Sequence, residues 1–314
     1  MKEYIIGKNE AGQRFDKYIF KLLKNAGTGL IFKQLRNKNI VLNGKKAKGN
    51  EILKENDSVR IFMSDDTINK FTGGPPHISK TGFRLDVIYE DDDILLASKP
   101  VGVLSQKSSD KDISMNEYLI EYLTDNGFGK ENLATFKPSF CNRLDRNTSG
   151  LMIAGKSLRG LQKMSEIIKD RSIHKFYLTI VKGIVDKKSV IKGYLRKDEK
   201  NNKVVIYDNP VKDSYEIHTE YEPLATKDDM TLLKVRLITG KTHQIRAHLA
   251  GISHPVLGDF KYGDKVFNEK YGEKKQLLHS YQVVFPKLDD FPDISEKSFN
   301  TPYPVNFTKY FKEN

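Results

Sequence analysis

Apolar positions along this chain recur with two periods, and the change of period divides it. Phe15, Ile19, Leu22 and Leu23 fall at i, i+4, i+7 and i+8, which predicts an amphipathic helix with lysines on its outer face. Gly27-Thr28-Gly29 ends that helix, and Ile31, Phe32 and Leu35 predict a second, shorter one with Lys33, Arg36 and Lys38 interleaved. The period then shortens. Ile40-Val41-Leu42 reads as a strand, Asn43-Gly44 as a tight hairpin turn, and Ile52-Leu53, Val59 and Ile61 as further short strands. Residues 64–82 contain Ser64-Asp65-Asp66 and Gly73-Gly74-Pro75-Pro76 with little apolar content, which predicts a linker.

From Phe83 the pattern is one of short strands with few long helices. Val87-Ile88-Tyr89 and Ile94-Leu95-Leu96-Ala97 flank the turn Glu90-Asp91-Asp92-Asp93, and Lys99-Pro100-Val101-Gly102-Val103 forces a loop at a strand end. A helix is expected over Ile113 to Leu123. Another runs from Leu158 to Lys169 behind the N-cap Ser157. Leu151 to Ala154, Lys175 to Val181 and Leu232 to Ile238 read as strands. The expected fold class is α+β: a mixed, largely antiparallel sheet with flanking helices over 83–314, a linker at 64–82, and a small α/β module at 1–63.

Charge sharpens this division. The 314 residues carry a net charge of +12, and residues 1–63 hold 14 cations against 6 anions, so +8 of the surplus sits in the first fifth of the chain. Two basic helices and a hairpin form a face that can track a polyphosphate, with Lys17, Lys33, Arg36 and Lys45 as candidate contacts. The single cysteine, Cys141, excludes an internal disulfide and a multi-thiolate metal site. There is no apolar run of about 20 residues and no signal-peptide core, which points to a cytoplasmic protein without membrane contact.

Two segments could carry chemistry. In Arg143-Leu144-Asp145-Arg146-Asn147-Thr148-Ser149-Gly150-Leu151 one carboxylate stands between two arginines, which favour its ionised form and attract phosphate. In Thr239-Gly240-Lys241-Thr242-His243-Gln244-Ile245-Arg246-Ala247-His248 a turn leads into a helix expected from about Thr242, which would place Thr242 and Arg246 on one face and Gln244 and His248 on another. His243, His248 and His254 match no zinc spacing, so no metal is expected. Asp259 lies in Gly-Asp-x-x-Tyr-Gly and reads as turn structure, which leaves a paired-carboxylate hydrolase without its second acid.

These segments carry two resemblances. Gln13-Arg14-Phe15-Asp16-Lys17-Tyr18-Ile19 and Val41-Leu42-Asn43-Gly44-Lys45 resemble the small RNA-binding domain first described in a small-subunit ribosomal protein, with Asn56-Asp57 where that domain has Gly-Asp. Lys99-Pro100-Val101-Gly102, Arg143 to Leu151, Lys175-Phe176-Tyr177-Leu178 and Gly240 to Arg246 with Gly258-Asp259 and Tyr262-Gly263 resemble, in order, the motifs of RluA-type pseudouridine synthases, specifically the large-subunit ribosomal RNA branch. Asn142 and Lys241 replace the usual His and Arg. The resemblance implies a cofactor-free isomerase that turns uridine in RNA into pseudouridine. Asp145 would be the catalytic group, either attacking the anomeric carbon or removing the neighbouring ribose proton. Arg246 would pair with it, and Tyr177 would stack on the target base. Arg143, Arg146, Lys241, His243 and Gln244 are the expected RNA contacts of this domain. Large-subunit ribosomal RNA is the expected partner, with transfer RNA as the alternative substrate, a non-catalytic ribosome-binding role as the alternative function, and a monomer as the expected state.

Overall fold

The computed structural model describes residues 1–73, 78, 80–129 and 133–312. The Gly74-Pro75-Pro76 run that suggested a linker lies outside them.

The basic segment folds around its own core. Its elements are β1 (Lys2–Ile5), α1 (Phe15–Leu22), α2 (Thr28–Arg36), β2 (Ile40–Leu42), β3 (Lys45–Lys46), β4 (Ser58–Ile61) and α3 (Asp65–Thr72). The four strands form an antiparallel sheet in the order β1-β4-β2-β3. Phe15, Ile19 and Leu22 from α1 and Ile31 and Leu35 from α2 pack on Ile40, Val59 and Ile61 of the sheet, so the helical stripes meet the alternate residues of the strands. Ile52 makes only an isolated bridge to Arg14, where a strand was expected.

The linker expectation is corrected at its start. Asp65–Thr72 is helical because Ser64 caps it, accepting the Thr67 N–H, with Asp65 and Asp66 in the first turn and a left-handed Gly73 at the end. Ile68 buries itself in the same core as α1 and α2, so this helix belongs to the small module. The polar opening that looked like a loop is a helix cap.

The remaining elements are β5 (Asp86–Glu90), β6 (Ile94–Lys99), α4 (Met115–Asp125), β7 (Ser139–Phe140), β8 (Ser149–Gly155), α5 (Leu158–Lys169), β9 (His174–Lys182), β10 (Ser189–Asp198), β11 (Lys203–Tyr207), β12 (Tyr215–Lys227), β13 (Met230–Leu237), α6 (Gln244–Gly251), α7 (Lys265–Tyr271), β14 (Leu278–Val284) and β15 (Ser298–Asn300). They build one large mixed sheet in the order β11-β10-β12-β13-β9-β14-β8-β6-β5, with β15 on β14 and β7 on β8. Only β14 and β8 pair parallel among the described strands. There Gly150, at φ +106°, approaches so closely that a Cβ would sit 2.1 Å from the Ser280 carbonyl oxygen, which is why the chain leaves the Asp145 loop through glycine.

One face of the sheet packs against α4 and α6 through Leu95, Met115, Leu119, Val235, Ile245 and Leu249. The other face packs against α5 and the 285–294 segment through Leu96, Ile153, Met164, Ile167 and Phe285. The two arms of the sheet therefore meet at β9, β14 and β8, and the loop preceding β8 and the helix following β13 face one another there. Thr135 donates its hydroxyl to Glu10 at 2.9 Å, which ties the small module to the sheet domain.

Candidate active site

Three of the four segments picked out in the sequence line one cleft of ≈ 760 Å³, among others through Arg143, Asp145, Arg146, Tyr177, Lys241, His243, Gln244 and Arg246, and the Lys99-Pro100-Val101-Gly102 segment bonds to the Asp145 loop. Lys17, Lys33, Arg36 and Lys45 are not part of it. They stand exposed on the small module, and none of them is ion-paired among the described residues.

Arg246 organises the cleft. From the first turns of α6 it donates Nη1 to Asp145 Oδ2 at 2.8 Å, and Nε and Nη2 to the two carboxylate oxygens of Asp259 at 2.7 and 2.8 Å. Burial would pull the guanidinium down, but Asp259 and then Asp145 outweigh it and hold Arg246 above its ordinary value. For Asp259 burial pushes upward, and Arg246 together with the backbone N–H groups of Lys261 and Tyr262 overrides it, leaving the carboxyl below its usual range. The bidentate fork fixes the plane of the guanidinium and so aims its remaining nitrogen at Asp145.

The two carboxylates differ in access. The Asp145 side chain is 25% exposed, while that of Asp259 is fully buried. Asp259 does shape the turn expected of it, accepting the N–H of Lys261 at 2.8 Å. Its ion pair with Arg246 is what the sequence reading missed; the signal was a buried acid thirteen residues beyond an arginine, a separation no local rule connects. Asp145 and Asp259 are therefore not a pair of solvent-facing acids of the kind a hydrolase would need.

The loop bearing Asp145 is anchored from below. Lys99 is completely buried, and its ammonium donates to the carbonyls of Pro100, Val103 and Arg146 at 2.9, 2.7 and 3.0 Å, using all three hydrogens. Burial pulls it down to about 7, opposed by the charge of Asp145. The Gly102 N–H bonds to the Arg146 carbonyl and the Arg146 Nε bonds to the Gly102 carbonyl, so the Lys-Pro-Val-Gly loop and the Asp145 loop are laced together.

Tyr177 lies in β9 between Val235 and Ser280 of the neighbouring strands, and is buried. Burial, with the Asp145 charge, pushes its hydroxyl up to about 12 against a Ser280 hydrogen bond. Lys241 places its ammonium 3.8 Å from the centre of the Tyr215 ring.

Two expectations need correction. The helix α6 begins at Gln244, with His243 in a left-handed conformation before it, so Thr242 lies outside the helix and does not share a face with Arg246. Gln244, expected as an RNA contact, is buried: its Oε1 accepts from Thr239 and from the Lys241 N–H, and its Nε2 donates to His218 and Thr219, so it braces the turn. The three histidines diverge, His243 toward Tyr262, His248 toward Thr219 and His254 toward the Lys182 carbonyl. Cys141 lines the cleft, but burial raises its thiol to about 11, which leaves it protonated at neutral pH.

The fold agrees with comparisons to known proteins. The family model described as RNA pseudouridylate synthase matches residues 93–251. An uncharacterized RNA pseudouridine synthase of Mycoplasma genitalium is 31% identical over 94% of this chain and 93% of its own length. The ribosomal large subunit pseudouridine synthase C of Pasteurella multocida is 28% identical over 91% of this chain and 86% of its own. The solved structure of human RNA pseudouridylate synthase domain containing 4 superposes with a TM-score of 0.58 at 20% identity, covering 71% of this chain and 90% of that one, and shares the fold. The chain belongs to the RNA pseudouridine synthase family. It is an isomerase that converts uridine in RNA to pseudouridine. Among the described residues no helix is long and apolar enough to cross a membrane.

Proposed function

We propose that this enzyme modifies large-subunit ribosomal RNA, with Asp145 as its catalytic carboxylate. The observation that carries the assignment is the Arg246–Asp145 ion pair at 2.8 Å, held in place from behind by Asp259 and open to the cleft on the Asp145 side. The reaction breaks the bond between N1 of uracil and the anomeric carbon, turns the base, and joins C5 to the same carbon. Asp145 either attacks the anomeric carbon or removes the neighbouring ribose proton, and both routes need an aligned carboxylate. Tyr177 stacks on the extruded base, whose removal from structured RNA costs about a few kcal/mol. Arg143, Arg146 and Lys241 hold the flanking nucleotides.

Residues 1–63, extended by α3, act as the RNA-anchoring module through Lys17, Lys33, Arg36 and Lys45, and the sheet domain from Phe83 performs the chemistry. A second basic region supports the same substrate class. Residues 187–203, the β10–β11 arm, hold 7 cations against 2 anions, and Asn202 at its turn lines the cleft. Ribosomal RNA is favoured over transfer RNA because several relatives matched along most of the chain bear the large-subunit name. The enzyme works as a cytoplasmic monomer without a cofactor. Mapping pseudouridine in ribosomal and transfer RNA from cells lacking the protein tests this. Loss of a large-subunit position, restored by the wild-type gene and not by Asp145→Asn, is the expected result; loss confined to transfer RNA would reverse the substrate assignment.

A further inference from the structure

One polar group in the cleft has its bonding settled on one side and open on the other. His243 takes φ 55°, a region uncommon for non-glycine residues and costing about 1–3 kcal/mol. Its Nδ1 lies 2.9 Å from the Tyr262 hydroxyl, and that oxygen already accepts the Val204 backbone N–H at 2.8 Å. A phenol has one hydrogen of its own. Pointing the Tyr262 hydrogen at Nδ1 satisfies all three groups: Val204 donates to the oxygen, Nδ1 accepts, and the ring proton sits on Nε2. Nε2 stands 4.0 Å from Asp145 Oδ2, beyond hydrogen-bond reach, and Oδ2 is already taken by Arg246 at 2.8 Å. No acceptor for Nε2–H appears among the described residues, and His243 lines the same cleft as Asp145 and Tyr177.

We infer that His243 Nε2–H is the hydrogen-bond donor that holds a uracil carbonyl oxygen while the glycosidic bond is broken. This rests on the isomerase reading of the cleft. When N1 parts from the anomeric carbon the bonding pair stays on the base, so the detached uracil carries a negative charge shared by N1 and its two carbonyl oxygens. C5 then bonds to the anomeric carbon, the C5 proton departs, and N1 gains one. Between the two steps the base must turn without leaving. A fixed donor binds the anion more strongly than the neutral ring, so its contribution falls in kcat and not in RNA binding. Burial, the largest influence, together with Arg246 and Lys261 holds the imidazole below its ordinary value against Asp145 and Asp259, which keeps it a neutral single donor at pH 7. The left-handed turn and the Val204–Tyr262 chain are what aim it.

The test measures tritium release from RNA labelled at uridine C5, extracted from cells lacking the protein, by full-length wild type, His243→Ala, His243→Gln, Tyr262→Phe and Asp145→Asn. His243→Ala should lower kcat ~100-fold with KM and melting temperature nearly unchanged, the scale of losing one fixed donor to a developing anion. His243→Gln, whose amide can donate from a similar place, should recover at least ~10-fold of that. Long-range proton–nitrogen NMR should find the His243 proton on Nε2 in the wild type and shared between both nitrogens in Tyr262→Phe. Wild-type kcat in His243→Ala, a loss that appears only in KM or stability, equal loss in Ala and Gln variants, or a proton on Nδ1 would each overturn the donor role. Wild-type turnover by Asp145→Asn would instead overturn the isomerase site itself.

Discussion

Lys17, Lys33, Arg36 and Lys45 stand exposed on the small module, without ion-pair partners among the described residues, while Arg246 is buried between two carboxylates in the sheet domain. Both regions are basic chemistry, but the physics differs. In the first, charge acts by number and is screened by salt, because water surrounds every lysine. In the second, a single guanidinium acts by position: it has left water, so it must be fully paired, and its pairing fixes where Asp145 points. Charge counting finds the first kind of site, and only geometry finds the second.

The contrast can be broken at several places. The largest effect is expected at Asp259. Asp259→Asn removes half the pairing of a buried guanidinium, a class of change that costs about 3–5 kcal/mol, and should lower the melting temperature and turnover together. An unchanged melting temperature would mean Arg246 is held without it. Next is Tyr177. Its hydroxyl is raised from 10 to about 12 by burial, so the folded state keeps its proton where the unfolded state loses it. That contribution is intact below pH 10 and is lost as pH rises from 10 to about 12, roughly 2–3 kcal/mol at two pKa units. Denaturant titrations of Tyr177→Phe should show a shallower alkaline decline than wild type; identical curves would refute the burial account. The smallest effects per residue belong to the module. Replacing Lys17, Lys33, Arg36 and Lys45 by Ala in the full chain should flatten the slope of log affinity against log salt by about one for each cation that meets a phosphate, with kcat unchanged at saturating RNA. A slope equal to wild type would remove the module from the RNA interface.

Much of this molecule was legible in the sequence wherever one local period sufficed. The helices α1, α2, α4 and α5 and the strands β2, β6, β8, β9 and β13 follow from apolar spacing, and Ser157 caps α5 as expected. The three motifs that line the cleft and the Lys99 loop bonded to the Asp145 loop were visible as well, and so was the Arg246–Asp145 pairing through family resemblance. What stayed hidden depended on long-range contacts. Asp259 looks like a turn residue until α6 brings Arg246 to it. Lys99 reads only as part of a loop at a strand end until three carbonyls enclose its ammonium. Gln244 looks like a free donor until Thr239, His218 and Thr219 consume it. The left-handed turn at His243 shifted the start of α6 by two residues, because positive φ is uncommon for any non-glycine residue and the local pattern does not mark it.

The central claim is that Asp145, aimed by Arg246, performs the isomerisation while the basic module holds the RNA. Purified Asp145→Asn tests it directly when tritium release from C5-labelled uridine RNA and RNA affinity are measured on the same preparation. The account predicts turnover at background with affinity within about threefold of wild type, since one buried-cleft carboxylate adds little to a binding energy set by phosphate contacts. Turnover near the wild-type rate with the same affinity would contradict it.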